Sequence, residues 1–402
     1  MRKYFTLLFL SCVVVAVHAQ LSGSGYYRVR NYGTGNYVWV CDNTGSIDYA
    51  TTSADMGAMQ LWNGLDRALS EPASVLYFDS KGNNKWDVRA QNTGIHKIIN
   101  YYVEIRETGT SNGVTFYQLS ATEAGMTLYL SDVGGWGGDY NVLGTKGTGA
   151  TRRWIVEPID ASTENYLGVQ PTIVSDGKYY APFYIEFPFS LASSGMKAYY
   201  VSKVDGNVAV LKEFEGEVIP GATPVIIECS SMDKSDNRVN LLTGSYAAPS
   251  DNRLKGVYFC NEFRANSKDA ITVFDANTMR VFGVNADGKL VLHNSSKALH
   301  VNWWGDDGNR YLLSNQSYLP VASGTADELV LMTESEYDNR PAPEPEDVNQ
   351  DGVVDSQDIL CVYDSMQGDS SDEANALMDV NQDGVVDTQD VLLILDYIQE
   401  HK

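Results

Sequence analysis

At 402 residues the chain is long enough for two or three domains with cores of their own. Its formal net charge of −23 points away from nucleic acid, which is bound through clustered Lys and Arg. Five cysteines with no C-x-x-C pair do not make a disulfide framework.

The first 19 residues read as a signal peptide. Arg2 and Lys3 form its positive end, Tyr4 to Val17 an apolar run, and Val17-His18-Ala19 the small residues before a cut at Gln20. The run is too short to span a bilayer, and no later stretch reaches ~18 apolar residues. The expected product is secreted, extracellular and without a transmembrane segment. A lipid-anchored form would need Cys12, but the apolar Val13-Val14-Val15 follows it.

Residues 20–160 carry short alternating runs between Gly, Asn and Asp clusters: Tyr26–Arg30, Tyr37–Cys41, Val75–Phe78, Met126–Leu130 and Arg153–Val156. These predict strands, and no helices alternate with them to build a parallel sheet. The spacing suggests three repeats of about 45 residues, the size a β-trefoil uses. Tyr27-Arg28-Val29-Arg30-Asn31, then Gly35-Asn36-Tyr37-Val38, resembles the opening of a ricin-B-type lectin repeat. Gln60-Leu61-Trp62 is similar to that family's Q-x-W signature, and Arg152-Arg153-Trp154 is a weaker echo. The resemblance implies a β-trefoil-like, lectin-like domain in which an Asp holds sugar hydroxyls and an aromatic ring stacks on the sugar. Trp136, in the glycine-rich loop with Asp139 and Tyr140, is the candidate ring, and Asp42 a candidate polar partner. A tryptophan folded back over the core is the alternative for Trp136. Trp39 and Trp62 are expected inside.

Residues 161–338 read as a second β-rich domain of unassigned function, sandwich-like or barrel-like. Lys197–Val201, Val208–Leu211 and Ile219–Ile227 suggest a meander. Cys229 and Cys260 each end an apolar run, as neighbours on adjacent strands or as buried free thiols. Trp303-Trp304-Gly305-Asp306 offers a second stacking site or a hairpin end. Histidine is scarce after the signal (His96, His293, His300, His401), and H-E-x-x-H, G-x-S-x-G and G-x-x-x-x-G-K-[ST] are all missing. Glycoside hydrolysis needs only two carboxylates, which can come from distant strands. Glu186, Glu213 and Glu215 lie near apolar runs, but nothing pairs them, so no catalytic residue is named.

Residues 339–346, with Pro341, Pro343 and Pro345, form a stiff extended linker. The segment 344–402 holds sixteen Asp or Glu and one Lys, so it carries −15 and the rest of the chain −8. The acidity is ordered. DVNQDGVVDSQDIL at 347–360 recurs as DVNQDGVVDTQDVL at 379–392, an offset of 32. Calcium takes six or more oxygens, and a twelve-residue loop supplies them from positions 1, 3, 5, 7, 9 and 12. In the first copy these are Asp347, Asn349, Asp351, the Val353 carbonyl, Asp355 and Asp358. In the second they are Asp379, Asn381, Asp383, the Val385 carbonyl, Asp387 and Asp390. Gly352 and Gly384 fill position 6, where the backbone turns sharply. Two calcium ions are therefore expected. Helices should follow, with Ile359, Leu360 and Tyr363 and then Val391, Leu392, Leu395 and Ile398 at helical spacing. A short helix after Ser370 should end near Met378.

Asp rather than Glu at position 12, twice, with prolines where an incoming EF-hand helix would lie, resembles the type I dockerin family over residues 347–402. That resemblance implies a cohesin-like receptor read by loop positions 10 and 11, which are Ser356, Gln357, Thr388 and Gln389. The near-identity of the copies resembles the family's dual-orientation binding. Asp364 and Asp396 depart from the basic residue the family often carries at position 18. The expected whole is multidomain and mainly β with a small α-helical end. It is a secreted, non-catalytic carbohydrate-binding component, docked through calcium into a polysaccharide-degrading assembly. A glycoside hydrolase, or an adhesion protein without a sugar site, are the alternatives.

Overall fold

A computed structural model describes residues 21–40, 59–62, 65–89, 102–123, 125–132, 140–144, 148–257, 273–297, 299, 308–313, 315–340, 344–349, 353–367 and 376–401. The fold is mainly β, with a helical C-terminal region, and has two compact units, Met1–Leu167 and Gly168–Lys402.

The strands of the first unit are β1 (Gly25–Asn31), β2 (Tyr37–Val40), β3 (Met59–Trp62), β4 (Leu76–Ser80), β5 (Lys85–Arg89) and β6 (Val103–Ser111). They continue as β7 (Val114–Glu123), β8 (Met126–Tyr129), β9 (Ser131–Asp132), β10 (Tyr140–Gly144) and β11 (Trp154–Pro158), with one helical turn, α1 (Leu65–Ala68). Six strands close on themselves in the order β1-β4-β5-β6-β7-β11, and β11 pairs back to β1 with Val156 opposite Val29. Closure removes the sheet edges that an open sheet must otherwise protect. Val29, Phe78, Val88, Leu119, Trp154 and Val156 are buried, as period-2 alternation on a closed sheet requires. Trp154 is fully buried, and its indole Nε1 donates to the Leu130 carbonyl at 3.0 Å.

Arg28 of β1 is also fully buried. Its Nε donates to Ser74 Oγ at 2.9 Å, and Nη1 donates to Asn165 Oδ1 at 2.7 Å and to the Tyr166 carbonyl at 2.8 Å. Burial pulls its pKa down to about 10. The Arg28 contacts tie the chain after β11 to the strand that opened the ring.

β2 and β3 form a hairpin off the ring, and β3 also pairs with β10. The two Q-x-W echoes therefore do not occupy equivalent places. Gln60-Leu61-Trp62 lies in β3 outside the ring, and Trp154 lies in a ring strand.

The second unit begins with β12 (Leu167–Gly168) at the boundary. Its other strands are β13 (Ile173–Ser175), β14 (Lys178–Phe183), β15 (Phe189–Leu191), β16 (Lys197–Asp205), β17 (Val208–Glu213), β18 (Val225–Cys229) and β19 (Arg238–Leu241). Then follow β20 (Lys255–Val257), β21 (Met279–Val284), β22 (Leu290–His293), β23 (Gln316–Pro320) and β24 (Glu328–Thr333). Ten of them form one sheet in the order β13-β14-β18-β16-β17-β24-β22-β21-β23-β20. The predicted meander is altered. β16 and β17 form the expected hairpin, but β18 returns to the other side of β16, because β24 occupies the free side of β17 in a parallel pairing. Tyr200, Val201, Ala209, Ile226, Leu292 and Leu329 are among the buried residues of the core. Cys229 is buried and unbonded; Cys260 lies outside the described residues.

After β24 comes α2 (Glu334–Asp338), capped by a reciprocal Thr333–Glu336 pair. The Tyr337 hydroxyl donates to the Asp205 carboxylate, and Arg340 Nη2 reaches the same carboxylate at 3.1 Å. The Arg340 guanidinium also stacks over the Tyr337 ring at 4.0 Å. The start of the linker is thus fastened to the β16–β17 hairpin.

The C-terminal helices are α3 (Ser356–Met366) and α4 (Thr388–Glu400), with helical residues 376–378 between them. Their core is drawn from residues 348–398: Val348, Val362, Val380, Val391 and Ile394 are buried, with Ile359, Leu395 and Ile398 packed against them.

Candidate metal centre and docking face

The second loop is described in full. Asp379 Oδ1 accepts from the Asp383 amide at 3.0 Å, and its Oδ2 accepts from the Gly384 amide at 2.8 Å. Asn381 Oδ1 accepts from the Asp383 amide at 2.8 Å, and Asp383 Oδ1 accepts from the Val385 amide at 2.9 Å. The side chains at positions 1, 3 and 5 therefore turn inward along the loop, as the alternating spacing predicts. Gly384 has φ +87°, the left-handed conformation expected at position 6.

Position 12 closes each loop in the same way. Asp390 Oδ1 accepts from the Asn381 amide at 3.1 Å and Oδ2 from the Asp387 amide at 2.9 Å. Asp358 Oδ1 accepts from the Asn349 amide at 3.1 Å and Oδ2 from the Asp355 amide at 2.8 Å. Both carboxylates are fully buried. Position 9 has a second duty that the loop reading missed. Asp355 and Asp387 are N-caps, accepting from Gln357 and Gln389 amides at 2.7 Å each, and each forms a capping box with position 12. The D-x-x-D spacing was the available signal. Asp347 is buried, Asp379 and Asn381 are partly exposed, and Asp351 lies outside the described residues.

A buried carboxylate needs compensating charge or several hydrogen bonds. Two backbone amides serve each of Asp358 and Asp390, but the segment 344–402 contains no Arg and one Lys. Among the described residues no group of three or more His, Cys, Asp or Glu is drawn close enough to hold a metal ion as it stands. The donor set, all hard oxygen in two matching loops, nevertheless suits a hard cation.

Ser356, Gln357, Thr388 and Gln389 are exposed at the first turns of α3 and α4. The apolar residues beside them do not all face the core. Leu360 and Leu392 are 60% and 57% exposed, and Val353 and Val385 are 59% and 58% exposed. These residues form two pairs, each separated by the 32-residue repeat. Residues 345–399 match the family described as Dockerin type I domain. This segment is a type I dockerin. The match covers the C-terminal module alone, and no curated protein matches the chain. A dockerin implies a cohesin partner. The sequence reading took Val353 and Val385 for their carbonyls and Leu360 and Leu392 for an apolar stripe, and all four side chains are exposed. Their recurrence at matching positions of the 32-residue repeat is the signal for that exposure.

The other candidates stand apart from this module. Trp136, Asp139 and Asp42 lie outside the described residues, as do Trp303 and Trp304; Tyr140 opens β10, opposite Trp62 in register. Among the glutamates considered for catalysis, Glu186 is buried and accepts from the Tyr184 hydroxyl at 2.5 Å, while Glu213 pairs with Lys197 at 2.9 Å. Cys229 is a buried, unbonded thiol, and burial pushes its pKa up to about 12. No helix among the described residues is long and apolar enough to cross a membrane.

Proposed function

We infer that the chain is an exported component, folded at its C-terminus by calcium and captured there by a cohesin-bearing receptor, with a β-rich region that binds carbohydrate. The observation that carries the docking half is the pair of acidic loops with matching hydrogen bonds in a segment almost without basic residues. Asp347, Asn349, Asp351, the Val353 carbonyl, Asp355 and Asp358 would hold one ion, and Asp379, Asn381, Asp383, the Val385 carbonyl, Asp387 and Asp390 the other. Calcium would balance the charge of these carboxylates, and its binding free energy becomes folding free energy.

The receptor face is Ser356, Gln357, Thr388 and Gln389 flanked by Leu360 and Leu392. Polar specificity beside exposed apolar anchors is the usual anatomy of a recognition surface. Asp364 and Asp396 make it acidic, which favours a receptor with a basic rim. The reading divides the chain into a signal at 1–19, a trefoil-like lectin domain at 20–160, a second β-domain at 161–338, a linker at 339–346 and the dockerin. The closed six-stranded ring with its β2–β3 hairpin supports the trefoil assignment.

The test is capture of the full chain on immobilised type I cohesins in calcium and in chelator. Calcium-dependent capture is expected. Equal capture in both buffers, or none on any cohesin, defeats the docking half. A glycan array on residues 20–338 tests the carbohydrate half separately.

A further inference from the structure

The ten-stranded sheet carries an open groove of about 700 Å³, lined entirely by described residues. Its lining includes Tyr180 of β14, Tyr199 of β16 and Leu211 of β17. Glu228 of β18 lies directly across from Tyr180 in the strand register. The Tyr199 hydroxyl donates to Glu228 Oε2 at 3.4 Å, and Lys178 Nζ reaches the same oxygen at 3.1 Å. Burial and then the Glu228 charge push the Tyr180 phenol up to about 12, and the same causes raise Tyr199. Both phenols are neutral at physiological pH, and the buried Tyr199 is held through its hydroxyl by Glu228.

The charges of this lining balance. Asp176, Glu228 and Glu336 contribute three negative groups, and Lys178, Lys289 and Arg340 three positive ones. Arg340 is held in place by Asp205 and the Tyr337 ring. A lining with zero net charge has no reason to prefer a polyanion or a cation. It does present donors and acceptors side by side with two tyrosine rings. A pyranose has that complement: an apolar C–H face and a rim of hydroxyls, each both donor and acceptor. The volume is in the range of ligand sites.

We propose that this groove is a binding site for a neutral oligosaccharide, stacked on Tyr180 with its hydroxyls held by the Lys289, Glu336 and Arg340 rim. The proposal rests on the carbohydrate reading above and moves the sugar site to the second unit, away from Trp136.

The test uses the full chain in calcium, with soluble neutral β-glucan, mannan and arabinoxylan as probes and polygalacturonate as the anionic control, by affinity electrophoresis and calorimetry. At least one neutral probe should bind, and polygalacturonate should not. Tyr180→Ala should weaken binding about tenfold, and Tyr180→Phe less than about threefold, because the ring is kept. Should Tyr180→Ala fail to fold, Lys289→Glu changes an exposed rim donor and should weaken binding by itself. The groove is refuted if no neutral probe binds, if polygalacturonate binds better than they do, or if Tyr180→Ala and Lys289→Glu bind normally. Undiminished binding in those variants with loss in Trp136→Ala would remove the groove and leave the carbohydrate reading intact. Cohesin capture of the same variants should be unchanged throughout.

Discussion

Replacing Asp390 by Ala tests the calcium loops at their most buried point. The carboxylate is fully buried and accepts two backbone amides, from Asn381 and Asp387. Truncation leaves both donors unpaired, and each buried unsatisfied donor costs about 1–3 kcal/mol, so the module should lose about 2–6 kcal/mol. The substitution also removes a ligand of one ion and none of the other. Calcium at about a hundred times its dissociation constant stabilises by about 2.7 kcal/mol per site, so the variant should lose about half of the calcium-dependent stabilisation. The assay separates the module from the rest of the chain by signal. All seven tryptophans lie at or before residue 304, so their fluorescence reports on the β-rich region alone. The longest described helices are α3 and α4, so circular dichroism at 222 nm follows the dockerin. Chelator should lower the 222 nm transition and leave the tryptophan transition in place, and Asp390→Ala should lower it further while halving its response to calcium. Asp358→Ala should behave as its twin. A variant that melts like the parent and responds to calcium in full would show that position 12 neither closes the loop nor holds the ion.

Three other outcomes follow from named contacts. Trp154→Ala removes a fully buried indole and its bond to Leu130, and should cost about 3–5 kcal/mol in urea denaturation followed by the remaining tryptophans; a loss under about 1 kcal/mol would mean the ring has no core there. Leu360→Asp or Leu392→Asp alone should leave cohesin capture largely intact, because the other copy remains. The double variant should abolish capture with helix stability changed by less than about 0.5 kcal/mol, and a single variant that abolishes it would refute equivalence of the copies. Asp205 is held below the usual carboxylate range, first by the Tyr337 hydroxyl and then by Lys203 and Arg340. A depressed folded-state value stabilises above the unfolded carboxylate value of about 3.9, and the contribution is lost as pH falls through the folded value. The Tyr337 ring resonances should therefore be constant from pH 7 to 5 and shift toward a free tyrosine below about pH 4; a transition near neutrality would assign the clamp to another group.

The dockerin was legible because its information is local. Ligand spacing, the glycine at position 6 and the D-x-x-D cap all fall within twelve residues, and the repeat supplies an internal control. Strands rich in aromatic and branched residues were legible too, and β1, β2, β4, β8, β11, β16 and β17 fall where alternation suggested. The ring strands β5, β6 and β7 were not. In β6 the buried alternation covers only Val103 and Ile105 before exposed residues begin, and a bulge between Glu107 and Gly109 breaks the register. Helical spacing gave the existence of α3 and α4 but assigned their faces poorly. Leu360 and Leu392 fit an apolar stripe, yet Val362 and Ile394 fill the core and leave the leucines to solvent.

The sheet groove could not have been read from the chain. Tyr180, Tyr199, Leu211, Glu228 and Arg340 span 160 positions, and they meet only because β18 crosses back beside β16 and β24 inserts in parallel. The crossing sets a physical difference between the two ends of the function. The dockerin at 347–402 carries −13 of the chain's charge, eight of its acidic groups in the two loops, so on the calcium reading its folding responds to calcium and, by screening, to salt. The groove has a balanced lining and recognises through stacking and hydrogen bonds, which respond weakly to either. Chelation should thus release the chain from its receptor while leaving sugar affinity unchanged. Loss of both together would mean that the two sites are coupled, and that the charge partition does not separate attachment from ligand binding.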